Sequence, residues 1–251
     1  NYEVIKNVTA EANIQFNYAE VKGRTFSPIV NYGAGKVFNK DRSEYLETLN
    51  TFKDYTFDAF VKYENIFAEI HHLSATLGTS VFKTEGEFSG SIGFDLEGYN
   101  FGNASLDNAS DVMNLFPNGN GTFDSRLLSY FGRIQYDYKG KYLFSAVIRR
   151  DGSTKFGPEN RFGYFPSASA GWIISDENFL ADSSVVNFLK LRASYGILGS
   201  DAIPDYRYVS ILNGEGTYVL NNELAVGIAQ GAIANPEIRW EQQETFDIGL
   251  D

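Results

Sequence analysis

From Val8 to Tyr18 the chain alternates without a break, with Val8, Ala10, Ala12, Ile14, Phe16 and Tyr18 on one side and Thr9, Glu11, Asn13, Gln15 and Asn17 on the other. Strict period two places every apolar side chain on one face of a β-strand and every polar one on the opposite face. A run of about eleven residues at about 3.3 Å each, tilted by about 45°, covers roughly 25 Å of height, the apolar band of a membrane β-barrel. Strands of soluble domains are usually about 5–6 residues long.

The same pattern recurs along the chain. Tyr55, Phe57, Ala59, Val61 and Tyr63 alternate with Thr56, Asp58, Lys62 and Glu64, with Phe60 as the exception. After His71-His72 come Leu73, Ala75, Leu77, Thr79 and Val81 against Ser74, Thr76, Gly78 and Ser80. The clearest hairpin brings Leu128, Tyr130, Gly132, Ile134, Tyr136 and Tyr138 into Lys139-Gly140-Lys141 and back through Tyr142, Phe144, Ala146 and Ile148. A three-residue turn holding Gly is a tight β-connection. Tyr136, Tyr138 and Tyr142 crowd its turn end like an aromatic girdle at a membrane boundary. Further strands are expected at about 165–174, 189–198 and 240–251, eight in all. The connections between them alternate short and long, with long ones at 19–54, 83–125 and 199–239. Strands running up and down then carry all their longest loops at one end, the arrangement of outer-membrane barrels. Short helices are expected inside the connections at Asp41–Thr48, where Asp41 and Glu44 form a capping-box pattern, and at 110–116, 176–180 and 184–188. No repeat, Pro/Ser-rich linker or charge block marks an interior domain boundary.

Composition narrows the function classes. With Lys plus Arg at 21 against Asp plus Glu at 32, the net charge of -11 disfavours a nucleic-acid partner. The absence of Cys removes disulfide, thiolate and zinc-thiolate chemistry, and two His leave little for imidazole. No run approaches the ~18 apolar residues of a membrane helix, but barrel strands escape that criterion.

The densest group of polar and aromatic side chains runs from Arg149 to Tyr164. Arg149, Asp151, Lys155, Asn160 and Arg161 are candidate substrate-binding residues of an outer vestibule, and the competing structural reading has Arg149, Asp151 and Arg161 lock the loop by charge-assisted hydrogen bonds. Arg149 shares the polar strand face with Ser145. For a glycosidase the pairs Asp95 with Glu97 and Glu241 with Glu244 come into question, although sequence neighbours on a strand do not define the required separation. No catalytic residue is assigned. His71-His72 with Glu69 reads as a solvent-facing turn rather than a metal site, and Asn118–Asp124 as a loop lacking the bidentate Glu of a calcium site. Neither metal nor cofactor is expected.

From Arg126 onward an ordered series of motifs resembles the SusC/RagA family of TonB-dependent outer-membrane transporters of Bacteroidota. It comprises Tyr138-Lys139-Gly140-Lys141-Tyr142-Leu143, Arg149-Arg150-Asp151-Gly152-Ser153-Thr154-Lys155-Phe156-Gly157 and Asn160-Arg161-Phe162-Gly163-Tyr164-Phe165-Pro166-Ser167. Trp172, Leu189–Gly196, Asn235-Pro236, Trp240-Glu241 and Ile248–Asp251 follow. Residues 1–125 share the strand pattern and the acidic, aromatic style. The resemblance implies an all-β fold, an antiparallel up-and-down segment of a larger transmembrane barrel of about 22 strands enclosing a plug. Residues 1–251 would form a partial barrel domain without the plug, TonB box and C-terminal strands. The implied protein imports oligomeric nutrients, glycans or peptides, with a SusD-like surface lipoprotein and the TonB complex as partners, and is not an enzyme. The alternative from another class is a carbohydrate-binding β-sandwich, whose strands would be short and would share one core.

Overall fold

The computed structural model describes residues 2–35, 38–96, 98–116, 121–180, 185–210, 212, 214–220, 223–231 and 233–251. Its strands are β1 (Tyr2–Ile5), β2 (Val8–Ser27), β3 (Glu44–Phe67), β4 (His71–Phe94), β5 (Asp111–Asn114), β6 (Thr122–Tyr138), β7 (Tyr142–Ser153), β8 (Phe162–Ile173), β9 (Lys190–Ser200), β10 (Gly214–Leu220), β11 (Glu223–Ala229) and β12 (Glu241–Leu250). The eight expected strands correspond to β2, β3, β4, β6, β7, β8, β9 and β12.

Two compact units divide the chain. The first contains the residues up to Ile14, Thr56–Phe82 and the residues from Ser125 onward, and the second Gln15–Tyr55 with Lys83–Asp124. In the first, strands neighbour one another in the order β1-β2-β3-β4-β6-β7-β8-β9-β12, an up-and-down path. A separate antiparallel hairpin, β10-β11, belongs to the same unit. β2, β3 and β4 contribute residues to both units, and in the second β5 pairs with β4.

The turns of the first unit explain its hairpins. Lys139 and Gly140 both take positive φ, 56° and 69°, the handedness that matches the twist of flanking strands. The Asp137 carboxylate accepts the Gly140 N–H at 2.6 Å and holds that geometry. Ala68 and Glu69 adopt the same region between β3 and β4, as does Asn7 between β1 and β2. Among connections at this end, 174–189 departs from the short pattern, and Glu177 within it is tied to β7 and β8 as described below.

Three expectations are corrected here. The first concerns strand length: β2, β3 and β4 run for 20, 24 and 24 residues, so much of the segments 19–54 and 83–125 is strand rather than loop. In residues 44–54 of β3 both faces mix polar and apolar residues, Glu47 with Leu49 on one and Leu46 with Asn50 on the other, which hides the alternation there. The second concerns the helices. Asp41–Thr48 is not helical, because Glu44 already opens β3, and the Tyr45 hydroxyl bonds Glu47 two residues on, a strand spacing. At 110–116 the backbone forms β5, whose pairing with Ser91–Phe94 satisfies the N–H and C=O groups at the end of β4. Near 176–180 there is one 3-10 turn at Ile174–Asp176, while 184 lies outside the described residues and 185–188 are not helical. The third is the turn at His71-His72. The chain turns at 68–70 and His71 begins β4, where its Nδ1 lies 2.6 Å from the Tyr136 hydroxyl.

In the second unit, Tyr45 and Leu96 are buried and Arg42 clamps Asp95 with bonds of 2.8 and 2.6 Å. The Arg42 guanidinium, and after it the Ser110 hydroxyl, hold the Asp95 carboxyl down at about 2. A carboxylate with a depressed pKa stabilises the fold above its ordinary value of about 3.9, and that contribution is lost as pH falls through the folded value. Amide exchange at Asp95 and Ser110, corrected for intrinsic rates, should therefore accelerate between about pH 4 and about pH 2 in the full-length protein. Asp95→Asn should remove that step; a variant with the same acid step would show that another group causes it.

Candidate functional site

Register sorts the side chains of β6, β7, β8, β9 and β12 onto two faces. On one face lie the cross-strand rows Tyr138, Tyr142, Trp172, Leu191, Leu250; then Tyr136, Phe144, Ala170, Ala193, Ile248; then Ile134, Ala146, Ala168, Tyr195, Phe246. Gly132, Ile148 and Pro166 continue it, followed by Tyr130, Arg150 and Tyr164. On the other face lie Gln135, Ser145, Ser169, Ser194 and Asp247, flanked by rows containing Arg133 and Arg192. The apolar face is open to its surroundings: Ile248 is 66% exposed and, elsewhere in the unit, Leu77 72% and Ile14 84%. Among the described residues of the whole chain only Tyr45, Leu96, Phe156 and Phe165 are buried apolar side chains. A sandwich would cover this face with a second sheet; the second sheet here is the β10-β11 hairpin.

Aromatic rows bound the apolar band. At the turn end the rings of His71 and Tyr138, Tyr138 and Tyr142, and Tyr142 and Trp172 follow one another at 4.9, 6.1 and 6.4 Å. Glu177 fastens the 174–189 connection to this row by accepting the Tyr142 hydroxyl at 2.6 Å and the Trp172 indole N–H at 3.0 Å. These two bonds, the Tyr142 one foremost, lower the Glu177 pKa. From Tyr142 to Arg150 the strand rises about 26 Å, or roughly 20 Å of height at a tilt of about 40°.

At the long-connection end, the five residues expected on one loop occupy different settings: Arg149 and Asp151 lie on β7, and only Lys155, Asn160 and Arg161 lie in the connection to β8. Arg149 Nε bonds both carboxylate oxygens of Asp151 at 2.7 and 2.8 Å, and its Nη2 donates to Ser129 Oγ at 2.8 Å. Lys155 Nζ donates to the Asp201 carbonyl at 3.1 Å, and Ser153 Oγ to the Asp201 carboxylate at 2.8 Å. Asn160 Nδ2 donates to the Pro236 carbonyl at 3.3 Å. The Arg161 carbonyl accepts the Trp240 indole N–H at 3.0 Å, while its own Nε is buried without a partner. Beneath the loop, Trp240 packs on Phe156 and Phe165 with ring centroids 5.1 and 5.2 Å away. Phe165 fits because Gly199 faces it: a Cβ there would come within 2.1 Å of the ring. Ser129, Asp201 and Trp240 have no signal in the sequence that ties them to this loop, since each arrives through strand register or a distant connection.

The polar face of the first unit also holds an open groove of about 1070 Å³, lined by Arg133, Gln135, Ser145, Ser169, Arg192 and Ser194 among others. Glu241 and Glu244 pair with Ser200 and Ile197, which puts them on opposite faces of β12 and rules out their acting on one substrate bond. Asp95 is engaged by Arg42, and Glu97 and 117–120 lie outside the described residues.

An open, two-faced antiparallel sheet with an exposed apolar band between aromatic rows defines a segment of an outer-membrane β-barrel wall. The chain belongs to the TonB-dependent receptors. It is 34% identical over 258 residues to TonB-dependent receptor P39 of Formosa agariphila, covering 100% of this chain and 23% of the relative. With TonB-dependent receptor SusC of Bacteroides thetaiotaomicron it shares 40% over 134 residues, 50% of this chain and 13% of SusC. The fold matches a solved structure of the RagAB peptide transporter at a TM-score of 0.75 and 23% identity, over 98% of this chain and 26% of that one. The chain thus spans about a quarter of the length of P39. No family model matches it.

Proposed function

We propose that this chain supplies part of the barrel wall and the extracellular loops of a transporter that imports an oligomeric nutrient, a glycan or a peptide, across the outer membrane. In this reading a SusD-like lipoprotein caps the barrel, substrate is enclosed beneath it, and the TonB complex acts through a plug encoded elsewhere in the protein. The observation that carries it is the exposed apolar band bounded by Tyr138, Tyr142 and Trp172 at one side and Tyr130 and Tyr164 at the other. An apolar band of this size between aromatic girdles suits contact with lipid. The polar rows of Gln135, Ser145, Ser169 and Ser194 then face the lumen. β3 and β4, at 24 residues each, hold more residues than a ~25 Å band requires. The end of β7 carrying Arg149 and Asp151, with the connection carrying Lys155, Asn160 and Arg161, forms part of the vestibule rim, and its internal bonds pre-set the shape presented to substrate.

The test is an in-frame deletion of the full-length gene in its source organism, followed by growth on single oligosaccharides and on peptides and by affinity purification of the tagged protein. Loss of growth on one nutrient class, with a surface lipoprotein recovered alongside, is the expected result. Undiminished growth on every oligomer with no lipoprotein recovered would overturn the import reading.

A further inference from the structure

Arg149 and Arg150 are adjacent in sequence and point to opposite faces. Arg149 turns to the polar face and meets Asp151 and Ser129. Arg150 stands in the row Tyr130-Arg150-Tyr164, on the apolar face, at the edge of the band away from the tight turns. Its guanidinium carbon lies 3.8 Å from the Phe162 ring centroid and 5.7 Å from that of Tyr164. The Phe162 ring is laid against the sheet by Gly152 opposite it, where a Cβ would come within 2.4 Å of the ring. Arg150 Nε is buried without a hydrogen-bond partner, and among the described residues no carboxylate pairs with this cation. An arginine on a lipid-facing surface normally finds a counter-charge or leaves the face, because an unpaired charge beside hydrocarbon is costly. Here the guanidinium carbon instead sits over an aromatic ring at the band's margin, with Nε covered and, among the described residues, no hydrogen bond on its two terminal nitrogens. That combination suits a phosphate, which a guanidinium binds through paired N–H donors.

We propose that Arg150, stacked on Phe162, binds the phosphate of a membrane lipid headgroup in the leaflet on the long-connection side. The inference rests on the outer-membrane reading above. It gives Arg150 a role that the substrate vestibule does not use.

The full-length receptor, purified in mild detergent, is incubated with phosphorylated lipid A or with the same glycolipid lacking phosphate, and retained lipid is counted by native mass spectrometry. Wild type should retain the phosphorylated form preferentially. Arg150→Gln should lose that preference about tenfold, the scale of one charge-assisted contact, and Arg150→Lys, which keeps charge without the planar fork, should fall between. Barrel assembly of both variants, read from their outer-membrane yield, should match wild type. Equal retention of phosphorylated lipid by wild type and Arg150→Gln would overturn the Arg150 assignment while leaving the lipid-facing surface intact. Retention of neither lipid by wild type would instead overturn the surface reading itself. Calorimetry with inorganic phosphate alone separates the remaining source: Arg150-dependent binding of free phosphate at comparable strength would overturn a lipid site.

Discussion

Replacing Ile134 by Arg is expected to destabilise the assembled full-length protein by about 2–4 kcal/mol and to reduce its outer-membrane yield several-fold, while Gln135→Arg leaves assembly unchanged. The two residues are neighbours on β6, and the difference between them is purely one of face. Ile134 sits in the middle row of the apolar band, two rows from Tyr138 and two from Tyr130, and is 51% exposed. An Arg there has about 10 Å of hydrocarbon to either boundary, and the cost of a cation is greatest at the midplane. Gln135 lies in the serine-floored row of the open polar groove, where a third guanidinium would join those of Arg133 and Arg192. Urea titration of the reconstituted protein, together with its heat-modifiable migration, measures both. Equal tolerance of the two variants would mean that the apolar face does not meet lipid.

In the second unit Gly86→Val is expected to cost about 3 kcal/mol or more and to make that unit sensitive to added protease on intact cells. A Cβ at Gly86 would lie 2.0 Å from the Thr51 carbonyl oxygen and 2.9 Å from the Phe123 ring. The carbonyl belongs to β3, so relief requires moving backbone rather than rotating a side chain. Phe123 is in turn packed with Phe52 and Phe88 at 5.9 and 5.3 Å, which leaves the ring little room to yield. Gly90, whose Cβ would meet the Glu47 carbonyl at 2.9 Å, should follow more mildly on substitution by Ala. Wild-type protease resistance for Gly86→Val would show that β3 and β4 separate locally without loss of the unit.

The segment from Arg149 to Tyr164, expected as one loop and found as the end of β7, a connection and the start of β8, illustrates how far the residues could be read in advance. Its density of charge and glycine marks it, and the polar-face position of Arg149 follows from parity with Ser145. Parity also separates Arg149 from Arg150, since consecutive strand residues face opposite ways. Nothing local, however, foretells that Ser153 will find Asp201 or that Arg161 will receive Trp240. Those partners arrive from other connections, and their approach depends on which strands pair and in what register. The expected helix at Asp41–Thr48 failed for a related reason: a capping pattern is a local preference of modest strength, and strand pairing along β3 outweighs it.

Period-two alternation with tight Gly-containing turns determined by itself that this chain is all-β, that its strands are long, and which side chains share a face. These are properties of one strand at a time, written into successive residues. Only the tertiary structure decided that β2, β3 and β4 continue to 20 and 24 residues, that Glu241 and Glu244 are parted by the sheet, and that Trp240 closes over Phe156 and Phe165. Each of these depends on cross-strand register and on contacts between segments far apart in the chain, where a shift of a single residue would carry every side chain to the other face.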